Sequence, residues 1–149
     1  MIGYERESSS ERTGQQSEAA VIFELVRQGL TVLEPFGDNE RYDVVVEETG
    51  KFYRVQIKTG RLENGRVQFG VRSSGTLTRK VQKEGHEGEI EVFAAYSPEI
   101  ERTFVVPIAE APKTTMGIRV EESDKSSPNI NWAEDYTLEK WVESIRKET

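Results

Sequence analysis

Apolar and polar residues alternate on both sides of Thr49 and Gly50, and this pattern predicts a β-hairpin near the centre of the chain. Segments 41–48 and 51–60 are rich in Val, Tyr and Phe, as β-strands are. Gly50 supplies the positive φ that a two-residue hairpin turn requires. The pattern therefore predicts two antiparallel strands joined at Thr49 and Gly50.

The register of this hairpin follows from its turn. With Thr49 and Gly50 in the turn, Glu48 pairs with Lys51, and the same count places Asp43 opposite Gln56. Cross-strand partners share a face, and alternate residues repeat it. One face is then polar at one end: Asp43, Val45, Glu47, Phe52, Arg54, Gln56 and Lys58. The other is a core face: Tyr42, Val44, Val46, Tyr53, Val55 and Ile57.

Helical patterns precede the hairpin and end the chain. A capping box starting at Thr13 predicts the first helix, which Gly29 ends, and Thr137 is the predicted cap of the last helix. Further apolar runs predict short strands at 31–33, 66–71, 89–96, 102–108 and 117–120. This order predicts an α+β (mixed α/β) fold with the first helix on one face of the sheet. We expect a flexible segment over residues 1–12 and one domain over residues 13–149.

Composition narrows the class of protein. A chain of 149 residues with 35% hydrophobic content suits one domain with a modest core. The absence of cysteine excludes disulfides and thiolate metal sites. No apolar run approaches the ~20 residues of a membrane span, and the N-terminus lacks the apolar region of a signal peptide. We therefore expect a cytoplasmic protein.

Charge is distributed unevenly along the chain. Residues 51–83 contain nine Lys or Arg and a single acid, Glu63, for a net charge of +8, which leaves −15 for the remainder of a chain of −7. A basic block in an acidic protein is typical of a surface that binds a polyanion such as DNA, although a solvated charged surface is the alternative. The candidate DNA contacts are Arg61, Arg66, Arg72, Arg79, Lys80 and Lys83.

The polar end of the hairpin suits phosphodiester hydrolysis. Oxygen ligands hold Mg²⁺, which neutralises phosphate charge and lowers the pKa of an attacking water. Asp43 is the expected principal ligand, with the side-chain oxygen of Gln56 and the backbone carbonyl of Ile57 beside it. Lys58 would orient or deprotonate the water. Glu18 would reach the same cation if the first helix packs over the sheet, although an acid in a first helical turn also has a purely structural reading.

These residues resemble a known family. Glu18, then Tyr42-Asp43, then Val55-Gln56-Ile57-Lys58 look like the motifs of the PD-(D/E)XK nuclease superfamily, in its homing-endonuclease-like and archaeal Holliday-junction-resolvase-like branch. The resemblance covers about residues 13–72. It implies a central mixed sheet flanked by helices, a divalent metal (Mg²⁺, with Mn²⁺ as a substitute), DNA (duplex or branched) as substrate, and a homodimer. It also implies catalytic roles for Glu18, Asp43, Gln56 and Lys58.

Two departures from the family pattern keep alternatives open. Tyr42 stands where the motif has Pro, and Gln56 lacks the charge of the usual second acid. Weaker metal binding follows from the lost charge. A DNA-binding module without cleavage, and a structural or interaction domain without a DNA role, are therefore the alternatives to a Mg²⁺-dependent DNA endonuclease. The single histidine, His86, has no partner for a transition-metal site and is interpreted as a loop residue.

Overall fold

A computed structural model of the chain describes residues 9–37, 39–71, 88–122 and 129–148. None of its helices is long and apolar enough to cross a membrane, within this part of the chain. Two 3₁₀ turns accompany the helices and strands, at Ile108–Glu110 and Ala133–Asp135. The helices are α1 (Ser10–Arg27) and α2 (Leu138–Lys147), and the strands are β1 (Thr31–Leu33), β2 (Val44–Glu48), β3 (Lys51–Thr59), β4 (Arg61–Glu63), β5 (Arg66–Gly70), β6 (Val92–Ser97), β7 (Arg102–Pro107) and β8 (Thr115–Arg119).

The central hairpin, β2 and β3, has the predicted register. Glu48 pairs with Lys51, and the ladder continues to Val44 opposite Val55. Thr49 and Gly50 both have positive φ, +51° and +82°, as a type I′ turn requires. The predicted hairpin and its turn are therefore confirmed.

Five strands form the central sheet, in the order β1-β2-β3-β6-β7. Among the described strands of this sheet, only the β3–β6 pair is parallel. One face of the sheet packs against both helices in a core that we call the helix-side core, where Val21, Leu25, Val44, Val55 and Val142 are at most 3% exposed. The predicted α+β fold, with a mixed sheet and the first helix on one face, is confirmed.

A second sheet, β4-β5-β8, is an addition to the predicted architecture. It packs against the other face of β6 and β7 in a second core, which contains Val67, Ile118, Phe93 and Phe104. Tyr42 packs against this second core, so its predicted place on the core face of the hairpin is wrong. The reason is that the β2 ladder begins at Val44, and strand alternation does not extend back to Tyr42.

The start of α1 differs from the prediction, whereas its end agrees. Ser9 is the N-cap, and its side-chain oxygen accepts a hydrogen bond from the Arg12 backbone N–H at 3.1 Å. Thr13 lies inside the helix and donates its hydroxyl to the Ser9 carbonyl, so the predicted cap at Thr13 is wrong. Gly29 has a φ of +84° and ends the helix in a Schellman arrangement, as predicted.

Candidate active site

Asp43 lies where β2 begins to separate from β3. Its side-chain oxygen Oδ2 accepts a hydrogen bond of 2.7 Å from the Ile57 backbone N–H, and its own N–H donates to the Val55 carbonyl. Burial raises the pKa of Asp43, while this hydrogen bond and the charge of Lys58 partly offset the rise. The carboxylate is thus fixed beside β3 in surroundings that disfavour its negative charge.

Gln56 follows Val55, which is opposite Val44 in the last pair of the ladder between β2 and β3. The Asp43 N–H donates to the Val55 carbonyl, so the predicted pairing of Asp43 with Gln56 is not part of this ladder. Its side-chain oxygen Oε1 is buried, and no residue in the described part of the chain donates a hydrogen bond to it. A buried acceptor without a donor costs about 1–3 kcal/mol. A cation at this point would satisfy the oxygen.

The backbone carbonyl of Ile57 faces the same side of β3 as the Asp43 carboxylate. In a strand, the N–H and C=O of one residue point to the same neighbouring strand, and the N–H of Ile57 donates to Asp43. A carboxylate, an amide oxygen and a carbonyl oxygen form the kind of donor set that hard cations such as Mg²⁺ prefer. No three His, Cys, Asp or Glu side chains form a potential metal site among the described residues, so a metal here would depend on the amide and the carbonyl.

Lys58 follows on the same face of β3 as Gln56, two positions further along the strand. Burial lowers its pKa, the charge of Asp43 acts in the opposite direction, and the charge of Arg41 lowers it further. Lys58 therefore lies within electrostatic reach of Asp43, as predicted from the register, and holds its proton less tightly than an exposed lysine.

Glu18 reaches the site from α1. Burial raises its pKa, and the nearby charges of Asp43 and Glu34 raise it further. The preceding residue, Ser17, is 1% exposed and shares a hydrogen bond of 2.6 Å with the Thr59 hydroxyl at the end of β3. This contact fixes the helix to the strand that carries Gln56 and Lys58, and so brings Glu18 near Asp43.

Four charged residues around the site form ion pairs. Arg41 pairs with Glu89, and its side chain is 11% exposed. Arg54 pairs with Glu91, whose carboxylate also accepts the Arg54 backbone N–H at 2.6 Å. Ser17, Glu34 and these ion pairs were not predicted from the sequence. Ser17 could have been noticed, because it is a small polar residue four positions before Val21, on the apolar stripe of α1.

The predicted DNA-contacting residues fall into two groups. Arg61 and Arg66 are exposed on β4 and β5. The other four, together with His86, lie outside the described residues: Arg72, Arg79, Lys80 and Lys83.

Comparisons with known proteins bear on the family and the fold. The family model of the PD-(D/E)XK endonucleases matches residues 8–139. A search of curated proteins finds no match. Among solved structures, the chain is similar to that of a bacterial homing endonuclease, I-Ssp6803I, with a TM-score of 0.69 and 22% sequence identity over 95% of this chain and 94% of that chain. At this identity, the structural likeness shows the fold.

Proposed function

Since the chain belongs to the PD-(D/E)XK endonuclease family, we propose that it is a divalent-metal-dependent DNA endonuclease that hydrolyses phosphodiester bonds at the end of the β2–β3 hairpin. One observation carries this proposal. The side-chain oxygen of Gln56 is buried without a donor among the described residues. The backbone N–H of the next residue, Ile57, donates to the Asp43 carboxylate, whose negative charge is disfavoured by burial. A divalent cation would bind the unsatisfied Gln56 oxygen and would stabilise the negative charge of Asp43.

The ligands that we propose are Asp43, the side-chain oxygen of Gln56 and the backbone carbonyl of Ile57, with Glu18 completing the set. Mg²⁺ is the expected metal, with Mn²⁺ as a substitute, because all of these ligands are oxygens. When bound, the cation would neutralise phosphate charge and lower the pKa of a nearby water. The hydrogen bond from Ile57 orients the Asp43 carboxylate before any metal arrives.

Lys58 is the proposed catalytic residue that holds or takes a proton. Its lowered pKa brings the neutral amine closer to working pH, which suits a group that orients or deprotonates an attacking water. In its charged form, the same side chain would stabilise the negative charge that develops on the phosphate. Both roles require the Lys58 amine to lie within reach of the scissile phosphate.

DNA is the proposed substrate, and the basic block would bind its backbone. The described candidates are Arg61 and Arg66, which continue the chain from the catalytic strand; the remaining candidates, Arg72, Arg79, Lys80 and Lys83, stay predictions. We also propose a homodimer, because the described residues hold one such site and cutting both strands of a duplex takes two. A cytoplasmic location likewise stays a prediction.

A binding protein without cleavage is the second candidate, and the neutral side chain of Gln56 favours it. With Gln56 in place of an acid, the ligand set has one negative charge fewer, and metal affinity falls with ligand charge. Such a protein would bind DNA through the same basic residues and leave it intact.

Cleavage of labelled duplex and four-way-junction DNA tests the proposal. We expect cutting in Mg²⁺ or Mn²⁺, none in EDTA, and a loss of at least a hundredfold in Lys58→Ala, since general acid–base groups contribute about 10²–10⁴ in rate. Lys140→Ala is the matched control, because Lys140 is an exposed lysine on α2, outside the basic block. Binding without cutting would favour the second candidate, and neither binding nor cutting would refute both.

A further inference from the structure

The second sheet has two unlike faces. One face packs into the second core through Leu62, Val67, Phe69, Met116 and Ile118. The alternate residues of the same strands lie on the opposite side, and none of them is buried. We call this side the outer face: Arg61, Glu63, Arg66, Gln68, Gly70, Thr115, Gly117 and Arg119.

The outer face is basic in an acidic protein. It carries three arginines and one glutamate, in a chain with a net charge of −7. Arg61 and Glu63 form an exposed ion pair of 3.3 Å, which contributes little in water. Arg66 lies between an arginine and a glutamate: it is the direct cross-strand partner of Arg119 on β8 and of Glu63 on β4. The like charges of Arg66 and Arg119 destabilise the sheet, and Glu63 is shared with Arg61. A bound polyanion would remove this repulsion.

Arginines on the outer face are held in place. The site of a Cβ at Gly117 would lie 4.0 Å from Arg66 Cδ, so the stem of Arg66 lies close to β8 at a residue that has no side chain. Arg119 donates from Nη1 to the Asn64 carbonyl at 3.1 Å and from Nε to the Glu121 carbonyl at 3.2 Å. Side chains with restricted freedom lose less entropy on binding a partner.

The outer face is joined rigidly to the catalytic strand. Gly60, between β3 and β4, donates its N–H to the Tyr96 carbonyl at 2.7 Å. A Cβ at Gly60 would collide with Val67 Cγ1, so only glycine permits β5 to pack this closely. Arg61 therefore follows Lys58 by three residues through a fixed link, and DNA on the outer face would continue toward the proposed catalytic site.

The hairpin of β4 and β5 forms two strands of the three-stranded second sheet, and β8 pairs with the other edge of β5. The two-residue turn of the hairpin, Asn64 and Gly65, has φ values of +53° and +76°, as in a type I′ turn. The major groove of B-DNA, about 12 Å wide, admits a two-stranded ribbon. Arginine and glutamine are also suited to paired hydrogen bonds with guanine and adenine, respectively.

We propose that the outer face is the surface that reads the DNA sequence: the face lies against the major groove with the β4–β5 hairpin in it, Arg66 and Gln68 on the central strand contact base edges, and Arg61 and Arg119 on the flanking strands contact phosphates. This inference rests on the proposed function, since DNA is the substrate proposed there. It assigns the recognition step to a sheet separate from the one that carries the catalytic residues.

The phosphate contacts are tested by the salt dependence of binding. Full-length wild-type protein and variants are titrated in EDTA against a labelled duplex at several salt concentrations. We expect Arg61→Ala to reduce the slope of log K against log salt by about 0.9, the value for one lost phosphate contact in B-DNA. Lys140→Ala, a surface lysine on α2 with a side chain 58% exposed, is the control and leaves the slope unchanged. An unchanged slope in Arg61→Ala would overturn the phosphate contact.

The base contacts are tested by selecting duplexes from a random-sequence library. We expect the wild type to enrich one sequence, and Gln68→Ala to relax it at one or two positions without changing the salt slope. Arg66→Lys keeps the charge but loses the planar fork, so it should keep the salt slope and lose its base preference. Failure of the wild type to enrich any sequence, or an identical sequence with both variants, would overturn base reading.

Two further readouts separate this proposal from the nuclease itself. Double-stranded RNA has a major groove too deep and narrow for a ribbon, so equal affinity for RNA and DNA duplexes would overturn groove entry. Cleavage in Mg²⁺ is measured in parallel. If the variants cut DNA normally, with unchanged salt slopes and an unchanged selected sequence, the outer-face proposal alone would be overturned. If the protein does not cut DNA but the variants show the expected changes in binding, the nuclease would be overturned and the outer face would remain a DNA-binding surface.

Discussion

Two polar clusters lie on the same face of β3, and their electrostatics are opposite. The Arg54 cluster consists of Arg54 and Glu91, which form three hydrogen bonds of 2.5–3.0 Å. The hydrogen bond between the two side chains is the main cause that lowers the pKa of Glu91 and raises the pKa of Arg54. Both shifts favour the charged forms, so this cluster stabilises the fold.

The Lys58 cluster consists of Asp43, Gln56 and Lys58, and the shifts there have the reverse sign. Burial is the main cause that raises the pKa of Asp43 and lowers the pKa of Lys58, so the charged forms are disfavoured. The Gln56 side-chain oxygen adds a buried acceptor without a described donor. Polar groups that a fold leaves poorly satisfied mark functional sites, whereas the Arg54 cluster has satisfied its charges internally.

The largest expected effect is on DNA cleavage, which should depend on the Lys58 cluster and not on the Arg54 cluster. Asp43→Asn should reduce cleavage about a thousandfold, because the loss of the charged metal ligand removes ~4 kcal/mol of transition-state stabilisation and each 1.36 kcal/mol is tenfold in rate. Glu91→Gln, in the Arg54 cluster, should change cleavage by no more than a few-fold. Single-turnover cleavage of one duplex in Mg²⁺ measures both.

For stability, we expect the reverse: the loss should occur in Glu91→Gln and not in Asp43→Asn. Asp43→Asn removes a carboxylate whose charge is disfavoured, so its free energy of unfolding without metal should equal or exceed that of the wild type. Glu91→Gln should lower it by about 1 kcal/mol, a figure reduced for the partial exposure of the pair. A Glu91→Gln protein that loses cleavage as completely as Asp43→Asn would end the distinction between the two clusters.

A smaller effect concerns metal affinity in the Lys58 cluster. Gln56→Glu restores a negative charge beside Asp43 and should tighten Ca²⁺ or Mn²⁺ binding roughly tenfold, since affinity rises with ligand charge. Gln56→Leu removes the oxygen and should abolish binding at this site while keeping the fold. Calorimetric titration measures both affinities. Equal metal binding by wild type and Gln56→Leu would show that Gln56 is not a ligand.

The sequence predicted the hairpin end of this site well, because its geometry is local. A two-residue turn at Thr49 and Gly50 fixes the pairing, and strand alternation then decides which residues share a face. The observed pair of Val44 and Val55 agrees with that count. Asp43 lies one residue beyond the ladder, where its N–H donates to the Val55 carbonyl and its carboxylate accepts from the Ile57 N–H.

Contacts between distant elements could not be predicted in the same way. The bond between Ser17 and Thr59, which holds α1 on β3, joins residues 42 positions apart, and no local pattern encodes such a contact. The second sheet depends equally on tertiary packing, since β4 is only three residues long and β5 pairs with β8 across a long stretch of chain. Ser9 was missed as the helix cap because Thr13 fits a capping box and both residue types favour that position.

The smallest expected effect is the pH dependence of stability without metal, and its sign differs between the clusters. The folded pKa of Asp43 is raised, so its stabilising contribution is complete below the ordinary value of 3.8 and is lost as pH rises through the raised pKa. The folded pKa of Glu91 is lowered, so its contribution is present above 4.5 and is lost as pH falls through the lowered pKa.

Denaturant unfolding across this acidic range should therefore give opposite trends for the two variants. Asp43→Asn should be more stable than the wild type, and the difference should be largest near neutral pH. It should disappear as pH falls toward 3.8, because protonated Asp43 and the asparagine that replaces it are then both uncharged. Glu91→Gln should be less stable than the wild type. This difference should also be largest near neutral pH and shrink below pH 4.5. Saturating Ca²⁺ should reverse the Asp43 trend, because the cation stabilises the charged Asp43 carboxylate of the wild type. It should leave the Glu91 trend unchanged, because only the Lys58 cluster binds the cation. If Ca²⁺ altered both trends equally, the cation would bind elsewhere on the protein.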